Sequence, residues 1–308
     1  MLIEAFRMLY SFAPVSTYKY IGFGSTTFVD FNMVHRSLGI TDLTSIEKST
    51  DDRRFKFNAP YGCVTIAFDM SNRVLPKLNW DTPCIVWLDY DGALNGSVLT
   101  DMRIVAESAV PGSMLIVTVN AEPREKQPVN EDDSEESELS NTKMSEVDAL
   151  KQSIGSALVP VLAPRDFANW GKARVYRDIM NTQIKSMLIE AKSSGRLAFP
   201  DKKSEQIINF HYSDGAKMMT LGWLLHDNDA RADTTLKALK TLEFLRAEGE
   251  KEFLIELPPL STREIMHMEQ QLPNDPANVQ CPGLQPIEIA NYCRVYKYYP
   301  TYLESELR

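Results

Sequence analysis

Glycines, carboxylates and one amide recur in this sequence directly after short apolar runs, where a strand would end. A carboxylate can accept hydrogen bonds from sugar hydroxyls, orient a polar acceptor or remove a proton from it. A glycine has no Cβ, so the backbone can turn sharply there and a ligand can approach it closely. The pattern therefore predicts a ligand site built from several strand ends. Its members are Gly22 and Gly24 after 18–21, Glu47 after 43–46, Asp69 after 63–68, Asp89 and Asp91 after 84–88, and Asn120 after 112–119.

One predicted strand, turn, helix and second strand position the first of these groups. The aromatic and apolar run 18–21 is typical of a buried strand, and Gly22-Phe23-Gly24-Ser25 follows it as a turn. Apolar residues from Thr27 to Leu38 have helical spacing, and Gly39 is a typical residue to end that helix. In doubly wound folds the helix N-terminus faces the ligand, and an acid at the tip of the next strand holds the ribose. Glu47 is that acid in this sequence.

Strands and helices alternate regularly up to residue 119, which indicates a parallel sheet with right-handed crossovers. Further along, the pair Asp214-Gly215 lies between the apolar runs 206–212 and 217–225, a strong signal for an antiparallel hairpin. The expected fold class is therefore α/β, with a Rossmann-like, mostly parallel seven-stranded sheet that ends in an antiparallel C-terminal hairpin. The predicted helices are 2–12, 27–38, 98–109, 164–196, 231–247, 261–271 and one that begins at 287.

The sequence indicates two domains, a Rossmann domain at 1–230 and a helical C-terminal appendage at 231–308. Within the first domain, acidic residues crowd together with Ser, Asn and Pro at 122–148. Too little apolar surface is present there to offset the entropy of ordering the chain. We therefore expect a flexible acidic insertion, for which a solvated loop, a lid and a surface for a partner are alternative roles.

The glycine turn and the acid at the second strand tip resemble the corresponding motifs of class I S-adenosylmethionine-dependent methyltransferases, in particular bacterial O-methyltransferase-like proteins. The sequence departs from that pattern at Tyr20, where an Asp or Glu usually helps to position the methionine end of the cofactor. It departs again at Thr26, where a third glycine is common. The resemblance covers about residues 15–226. It implies the methyltransferase fold, S-adenosylmethionine as cofactor, and methyl transfer to an unknown acceptor.

The resemblance also implies roles for individual residues. Asp89 or Asp91 would orient the acceptor or act as the base that deprotonates it. The amino-acid end of the cofactor would lie at the glycine turn and the ribose at Glu47. Asp69 and Met70 would line the adenine pocket, with a capped surface loop as the alternative. The expected cofactor-binding residues are Tyr20, Gly22, Gly24, Ser25, Glu47, Asp69 and Met70.

His211, in the strand before the Asp-Gly turn, is a third catalytic candidate. If that strand runs parallel to the first five, His211 would overlook the substrate opening. A histidine packed on the face of the sheet is the alternative.

The run Leu88-Asp-Tyr-Asp91 resembles a strand tip of the metal-dependent O-methyltransferases. That family completes its cation site with an Asp-Asn pair on the next strand, whereas this sequence has Val119-Asn120. One acid and one amide are fewer protein ligands than a stable divalent cation site usually has. We therefore expect no metal site.

Composition restricts the class of partner. With a formal net charge of -9 the chain has no general affinity for a phosphate backbone, so nucleic acid is not expected. A small-molecule or protein substrate fits better, and a protein partner would bind the acidic insertion or the appendage. The four cysteines lack metal-site spacing, and no apolar stretch reaches the length of a membrane span. We therefore expect a cytoplasmic protein.

Two other functions stay open at this point. The first is a catalytically silent methyltransferase-fold protein that serves as an interaction or sensing subunit, for example in a phage-defence system. Tyr20 and the incomplete metal pair favour it. The second is an NAD-dependent oxidoreductase, which would also use Glu47. Thr27 occupies the position of the last glycine in the G-x-G-x-x-G turn that such enzymes carry.

Overall fold

The computed structural model of the protein describes residues 1–49, 52–123, 145–213 and 215–299. Strands and helices alternate through most of this part of the chain. The strands are β1 Lys19–Gly22, β2 Asp42–Glu47, β3 Val64–Phe68, β4 Cys84–Ala93, β5 Met114–Asn120, β6 Lys203–Ser213, β7 Lys217–His226 and β8 Phe253–Ile255. The helices are α1 Leu2–Arg7, α2 Val29–Leu38, α3 Asp52–Asn58, α4 Ser71–Val74, α5 Gly96–Ser108, α6 Glu146–Ile154, α7 Gly171–Ser193, α8 Ala230–Leu239, α9 Thr262–Glu269 and α10 Pro286–Val295.

The strands form one mixed sheet in the order β3-β2-β1-β4-β5-β7-β6-β8. The first five strands pair in parallel, and β7 runs antiparallel to both β5 and β6. The carboxyl ends of β1 to β5 therefore share one edge of the sheet, and β6 ends at that edge as well. This arrangement confirms the α/β fold class and the antiparallel hairpin that the sequence predicts.

Several elements differ from the sequence-based expectation. The short helices α4 and α6 were not predicted, and the helix predicted for 231–247 ends at Leu239. The sheet has an eighth strand in the described residues, Phe253–Ile255. The sequence did not predict it, because a run of three apolar residues is too short to indicate a strand by its pattern. A helix also occupies Asp52–Asn58, where the sequence analysis predicts none. Lys56 forms an ion pair with Asp52 one turn earlier, and the ring of Phe55 packs edge-on against Phe68. Both contacts stabilise the helical conformation.

The core lies around the central strands. β5 is buried at every residue except the last, as expected for a strand that is covered on both faces. The largest fully buried side chain is Trp223 of β7. Its Nε1–H donates a hydrogen bond to Asn181 Oδ1 of α7 at 2.7 Å, so its polar atom is satisfied inside the core. Packing of this kind fixes the strand ends from which the site is built.

The chain divides into two compact units, Leu2–Phe253 and Leu254–Arg308 with Met1. The larger unit extends past the boundary expected after residue 230, since it also contains α8. Most of the acidic insertion predicted for 122–148 lies outside the described residues, as does Asp214 of the hairpin turn. None of the helices in the described ranges has both the length and the apolar character needed to cross a membrane.

Candidate active site

A cavity of about 720 Å³ opens at the carboxyl edge of the sheet, beside the ends of β1 to β4. This volume is typical of a small-molecule site. Seven of the ten residues predicted for the site line it: Gly24, Ser25, Glu47, Asp69, Met70, Asp89 and Asp91. Lining residues that the sequence did not single out include Asp30, Ser71, Trp87 and Tyr90. Tyr20, Gly22 and His211 lie outside the lining.

The turn after β1 forms one wall of the cavity. The backbone N–H of Gly24 donates to Ser45 Oγ at 3.0 Å and to Glu47 Oε1 at 2.9 Å. Ser25 and Phe28 both have a φ of 50°, in the left-handed region that side chains rarely adopt. Such residues cost about 1–3 kcal/mol each and persist where their surroundings hold them. The fully buried ring of Phe28 and the hydrogen bonds from Gly24 supply that constraint.

The two glycines of the turn are required by the protein's own packing. A Cβ on Gly24 would lie 2.5 Å from the Phe28 ring and 2.7 Å from Ser45 Oγ. A Cβ on Gly22 would lie 3.0 Å from the carbonyl oxygen of Trp87. The space that we expected a ligand to use is therefore filled by neighbouring protein atoms. Gly22 shapes the turn without lining the cavity, and Gly24 does both.

Glu47 ends β2 and is held in place inside the cavity wall. Its Oε1 accepts hydrogen bonds from Gly24 N–H and from Ser45 Oγ, the latter at 2.7 Å. Burial raises the pKa of Glu47, and the hydrogen bonds from Ser45, Gly24 and Ser25 oppose that rise. The carboxylate therefore both braces the turn after β1 and presents an acceptor to the cavity.

Tyr20 does not line the cavity, although it was predicted to bind the cofactor. Its side chain is fully buried behind the cavity wall. Its hydroxyl donates to Asp30 Oδ2 at 2.5 Å, and its ring packs edge-on against Phe31 at 5.0 Å. Asp30, in the first turn of α2, lines the cavity instead. The pKa of Asp30 is raised to about 6, chiefly by burial and in smaller part by the nearby Asp89, and the hydrogen bond from Tyr20 opposes the rise.

A second tyrosine–aspartate pair borders the cavity at β4 and α5. Tyr90, which lines the cavity, donates its hydroxyl to Asp101 Oδ2 at 2.6 Å, and Ser71 Oγ donates to the same oxygen. Asp101 is fully buried, and burial raises its pKa. The ring of Phe23 packs edge-on against Tyr90 at 5.1 Å. Asp101 therefore fixes the positions of two lining side chains without reaching the cavity itself.

Asp89 and Asp91 lie where β4 becomes irregular. The pairing with β5 is regular up to Asp89 and Thr118, and it shifts before Ala93 pairs with Asn120. Such irregularities re-aim side chains and are frequent beside active sites. Both acids are exposed and line the cavity. They are therefore accessible to a second molecule that enters from solvent.

Asp69 and Met70 lie after β3, on the side of the cavity next to α4. Asp69 Oδ1 accepts the backbone N–H of Met70 at 2.8 Å and forms an ion pair with Arg73 at 3.4 Å. Met70 is 47% exposed although its side chain is apolar. The two residues thus form a capped loop that also lines the cavity. The sequence analysis had given the capped loop and the lining role as alternatives.

His211 does not overlook the cavity. Its side chain is fully buried on β6, 4.9 Å from the ring of Trp170, and neither ring nitrogen has a hydrogen-bond partner in the described part of the chain. Burial lowers its pKa to about 4; Glu252 opposes this, whereas Arg174 and Arg177 add to it. The imidazole is therefore neutral at physiological pH. A neutral ring enclosed in protein cannot contact a substrate, so the catalytic role predicted for it is not supported by its position.

Metal ligands are also sparse. In residues 1–49, 52–123, 145–213 and 215–299, no group of three His, Cys, Asp or Glu side chains is arranged to hold a metal ion. Asn120, the counterpart of the missing Asp-Asn pair, uses its Oδ1 to accept the backbone N–H of Glu122 at 2.8 Å. It does not line the cavity.

These observations define a Rossmann-like α/β protein with a small-molecule cavity at the carboxyl ends of its first four strands. The chain belongs to the family described as "Putative O-methyltransferase", whose model matches residues 1–307. Membership confirms the resemblance inferred from the glycine turn and the acid of β2. A comparison with curated proteins finds no match.

Several solved structures also match the chain. Trm1 from Pyrococcus horikoshii with S-adenosyl-L-methionine is 12% identical, with a TM-score of 0.42 over 76% of this chain and 57% of that one. LepI in complex with SAM is 7% identical, with a TM-score of 0.39 over 73% and 47%. The S-adenosylmethionine-dependent methyltransferase SibL in its apo form is 10% identical, with a TM-score of 0.34 over 67% and 50%. This chain thus spans about half the length of each.

Proposed function

We propose that the protein is an S-adenosylmethionine-dependent methyltransferase that binds its cofactor in the cavity at the ends of β1 to β4. The observation that carries the proposal is the placement of Glu47. Its carboxylate lines the cavity at the tip of β2 and is fixed there by Gly24 and Ser45. A fixed acceptor beside a helix N-terminus suits the hydroxyls of a ribose.

The residues around Glu47 fit the rest of such a cofactor. Gly24 and Ser25 form the turn beside which its amino-acid end would lie. Met70 supplies an exposed apolar surface for a purine ring, and Asp69 lies next to it. The volume of about 720 Å³ leaves room for a second molecule next to a nucleoside.

Asp89 and Asp91 are the groups that we propose to act on the acceptor. When bound, S-adenosylmethionine supplies a methyl group on a positively charged sulfur, which is a good electrophile. For a hydroxyl acceptor, Asp89 or Asp91 would orient the oxygen and take its proton as the new bond forms. The exposed apolar side chains of Val29 and Met33, which also line the cavity, would contact the remainder of that molecule.

Isothermal titration calorimetry with S-adenosylmethionine, S-adenosylhomocysteine and NAD tests this proposal. We expect the first two ligands to bind and NAD not to. In the variant Glu47→Gln the new side chain keeps an oxygen that can accept the N–H of Gly24, so the turn is retained while the charge is lost. We expect this variant to bind S-adenosylhomocysteine about 10-fold more weakly. Absence of binding by the wild-type protein at millimolar ligand would contradict the proposal.

A second candidate function is a methyltransferase-fold subunit that binds the cofactor to sense it or to recruit a partner. It is favoured by the exposure of Asp89 and Asp91, because bases that deprotonate an acceptor usually work where water is excluded. A methyl-transfer assay on cell extract, combined with affinity purification of the native protein, separates the two functions. Transfer of label to a small molecule without any copurifying protein would exclude the subunit.

We also propose that the protein acts in a reducing compartment such as the cytoplasm. The support is that all four cysteines are free thiols. Its acceptor would be a small molecule or a protein, and the net charge of -9 disfavours nucleic acid.

A further inference from the structure

Asp30 is the cavity residue whose placement the proposed roles leave unexplained. It lies in the first turn of α2, and its Oδ2 is 3.4 Å from the point where a Cβ on Gly22 would stand. The carboxylate is therefore beside the end of β1, one strand away from Glu47 at the end of β2. The hydroxyl of Tyr20 binds Oδ2 from behind the wall. This contact fixes the orientation of the acid while it faces the cavity.

Within the described residues, no cation forms an ion pair with the carboxylate of Asp30. The charged side chain that affects its pKa is another acid, Asp89, which raises it. Lys48 is the only cation among the described lining residues, and it is exposed. A half-buried carboxylate next to a like charge is unfavourable unless a positive group compensates it. The acids that line the cavity are Asp30, Glu47, Asp69, Asp89 and Asp91.

We propose that Asp30 binds the primary ammonium group of the amino-acid portion of the cofactor, and that Tyr20 is the positioning residue that holds its carboxylate. This inference rests on the proposed function, because it assigns one end of the ligand that the cavity would hold. The ligand ammonium donates N–H to the carboxylate, and Asp89 adds a second negative charge on the same side. Glu47 would bind the ribose, so the two acids would bind different parts of one ligand.

The test compares two ligands that differ in the group that Asp30 would bind. S-adenosylhomocysteine carries the ammonium, whereas 5′-methylthioadenosine has the same nucleoside and sulfur without it. We expect Asp30→Asn to weaken S-adenosylhomocysteine binding about 10- to 100-fold, the range for a hydrogen bond to a charged group. Binding of 5′-methylthioadenosine should stay within about 3-fold of the wild-type value. Calorimetry measures both affinities.

The matched control is Asp101→Asn, which changes the other tyrosine-bound aspartate. Asp101 does not line the cavity, so any effect of its replacement passes through Tyr90 and Ser71. We expect the two ligands to be weakened by the same factor in this variant. Selective loss of S-adenosylhomocysteine binding in Asp101→Asn would show that the selectivity does not report contact with the ammonium.

A pH series gives a second readout that a purely structural role would not change. The pKa of Asp30 is raised to about 6, so binding of the ammonium should weaken as pH falls below that value. The groups that face Asp30 are Tyr20 on β1 and Asp89 on β4, with Glu47 and Lys48 of the lining beyond them. Tyr20→Phe removes a hydrogen bond that favours the charged acid, so the midpoint should move to higher pH. Asp30→Asn should abolish the transition.

The outcomes separate this inference from the proposed function. If the wild-type protein binds neither ligand, both are wrong. If it binds S-adenosylhomocysteine and Asp30→Asn binds it equally well, the inference is wrong and the proposed function stands. Equal weakening of both ligands by Asp30→Asn would mean that Asp30 only shapes the cavity, which also overturns the inference. Should Asp30→Asn fail to fold, an unchanged pH midpoint in Tyr20→Phe would overturn it.

Discussion

Two tyrosine–aspartate pairs border the cavity, and they face it in opposite senses. At β1 and α2 the tyrosine, Tyr20, is fully buried and the acid, Asp30, lines the cavity. At β4 and α5 the tyrosine, Tyr90, lines the cavity and the acid, Asp101, is fully buried. The hydrogen bonds are almost equally long, at 2.5 and 2.6 Å. The direction in which each pair points, rather than the bond, therefore decides what it can do.

The difference shows how the same chemical unit serves two purposes. Asp101 accepts hydrogen bonds from Tyr90 and Ser71 at Oδ2, which offset part of the cost of its burial and fix two lining residues. Its buried Oδ1 has no hydrogen-bond partner in the described part of the chain, and burial raises its pKa. Asp30 accepts hydrogen bonds from Tyr20 and from backbone N–H groups of its own turn, but burial and the neighbouring Asp89 still raise its pKa. In the inference above, a ligand cation offsets this remaining cost. The acid that lines the cavity can contact a ligand, whereas the fully buried acid can only stabilise its neighbours. Three substitutions test this distinction, and a fourth, at His211, serves as a reference outside both pairs.

The largest effect on stability is expected at Asp101. Asp101→Leu keeps the branched shape of the side chain, although with a larger volume, and leaves the hydroxyls of Tyr90 and Ser71 without their acceptor. We expect the free energy of unfolding to fall by about 2–4 kcal/mol, as for other broken buried networks. Urea denaturation measures it, with Ser71→Ala as a milder control that removes one donor. A loss below about 0.5 kcal/mol would show that Asp101 is not the structural member of the comparison.

In the absence of ligand, Asp30→Asn should raise the free energy of unfolding, whereas Asp101→Leu should lower it. The pKa of Asp30 in the folded protein, about 6, lies above the ordinary value of 3.8, so the protonated acid favours the folded state. That contribution is present below about pH 4 and is lost as pH rises through about 6. Asparagine cannot ionise and still accepts from Tyr20. We therefore expect the variant to be about 1–3 kcal/mol more stable than wild type at pH 8.

The same difference should vanish near pH 4, where the wild-type acid is already protonated. Denaturation of both proteins at the two pH values provides the check. A difference that is identical at pH 4 and pH 8 would mean that the ionisation of Asp30 does not destabilise the free protein. The distinction between a binding acid and a stabilising acid would then be lost.

Tyr90→Phe should have a smaller effect. It removes one hydrogen bond to Asp101 and leaves Ser71 as the remaining donor, so we expect a loss of about 1 kcal/mol in the free energy of unfolding. Because Tyr90 lines the cavity, affinities for S-adenosylhomocysteine and 5′-methylthioadenosine should fall together by a few-fold. A decrease confined to one of the two ligands would show that Tyr90 contacts the part in which they differ.

The smallest effect is expected at His211, which belongs to neither pair. Its ring nitrogens already lack partners among the described residues, so replacement by an apolar ring leaves no new unsatisfied group. We expect His211→Phe to stay within about 0.5 kcal/mol of wild type or to be more stable, with unchanged affinity for S-adenosylhomocysteine. A large loss of affinity would return His211 to the site.

Most of the strands and the hairpin could be predicted from the sequence. Apolar runs that end on glycine or acid marked the carboxyl edge, and the Asp-Gly pair marked the hairpin. Glu47 was found because a strand tip places its last side chain at a predictable point. Asp30 was missed because the helical pattern shows which residues are apolar, not that an acid in the first turn faces a cavity. Only the position of Tyr20, where an acid was expected, hinted that a carboxylate comes from elsewhere.

The position of His211 is harder to predict from the sequence. Alternation along β6 would tell which residues face inward, but the pairing with β7 shifts between Gln206 and Ile208. A single extra residue reverses the facing of every residue after it. Nothing in the run 206–212 signals that shift. The strand order matters more, because β5 and β7 separate β6 from β4 and so place His211 away from the cavity at β1 to β4. Short-range pattern fixes the type of an element more reliably than the direction of one side chain.

The most direct test of the central claim is a crystal structure of the protein with S-adenosylhomocysteine. The account predicts that the ribose hydroxyls lie within hydrogen-bonding distance of Glu47 and that the ammonium group lies against Asp30, with Tyr20 still bound to Oδ2. A ligand bound elsewhere, or bound in this cavity with its ribose turned away from Glu47, would contradict it.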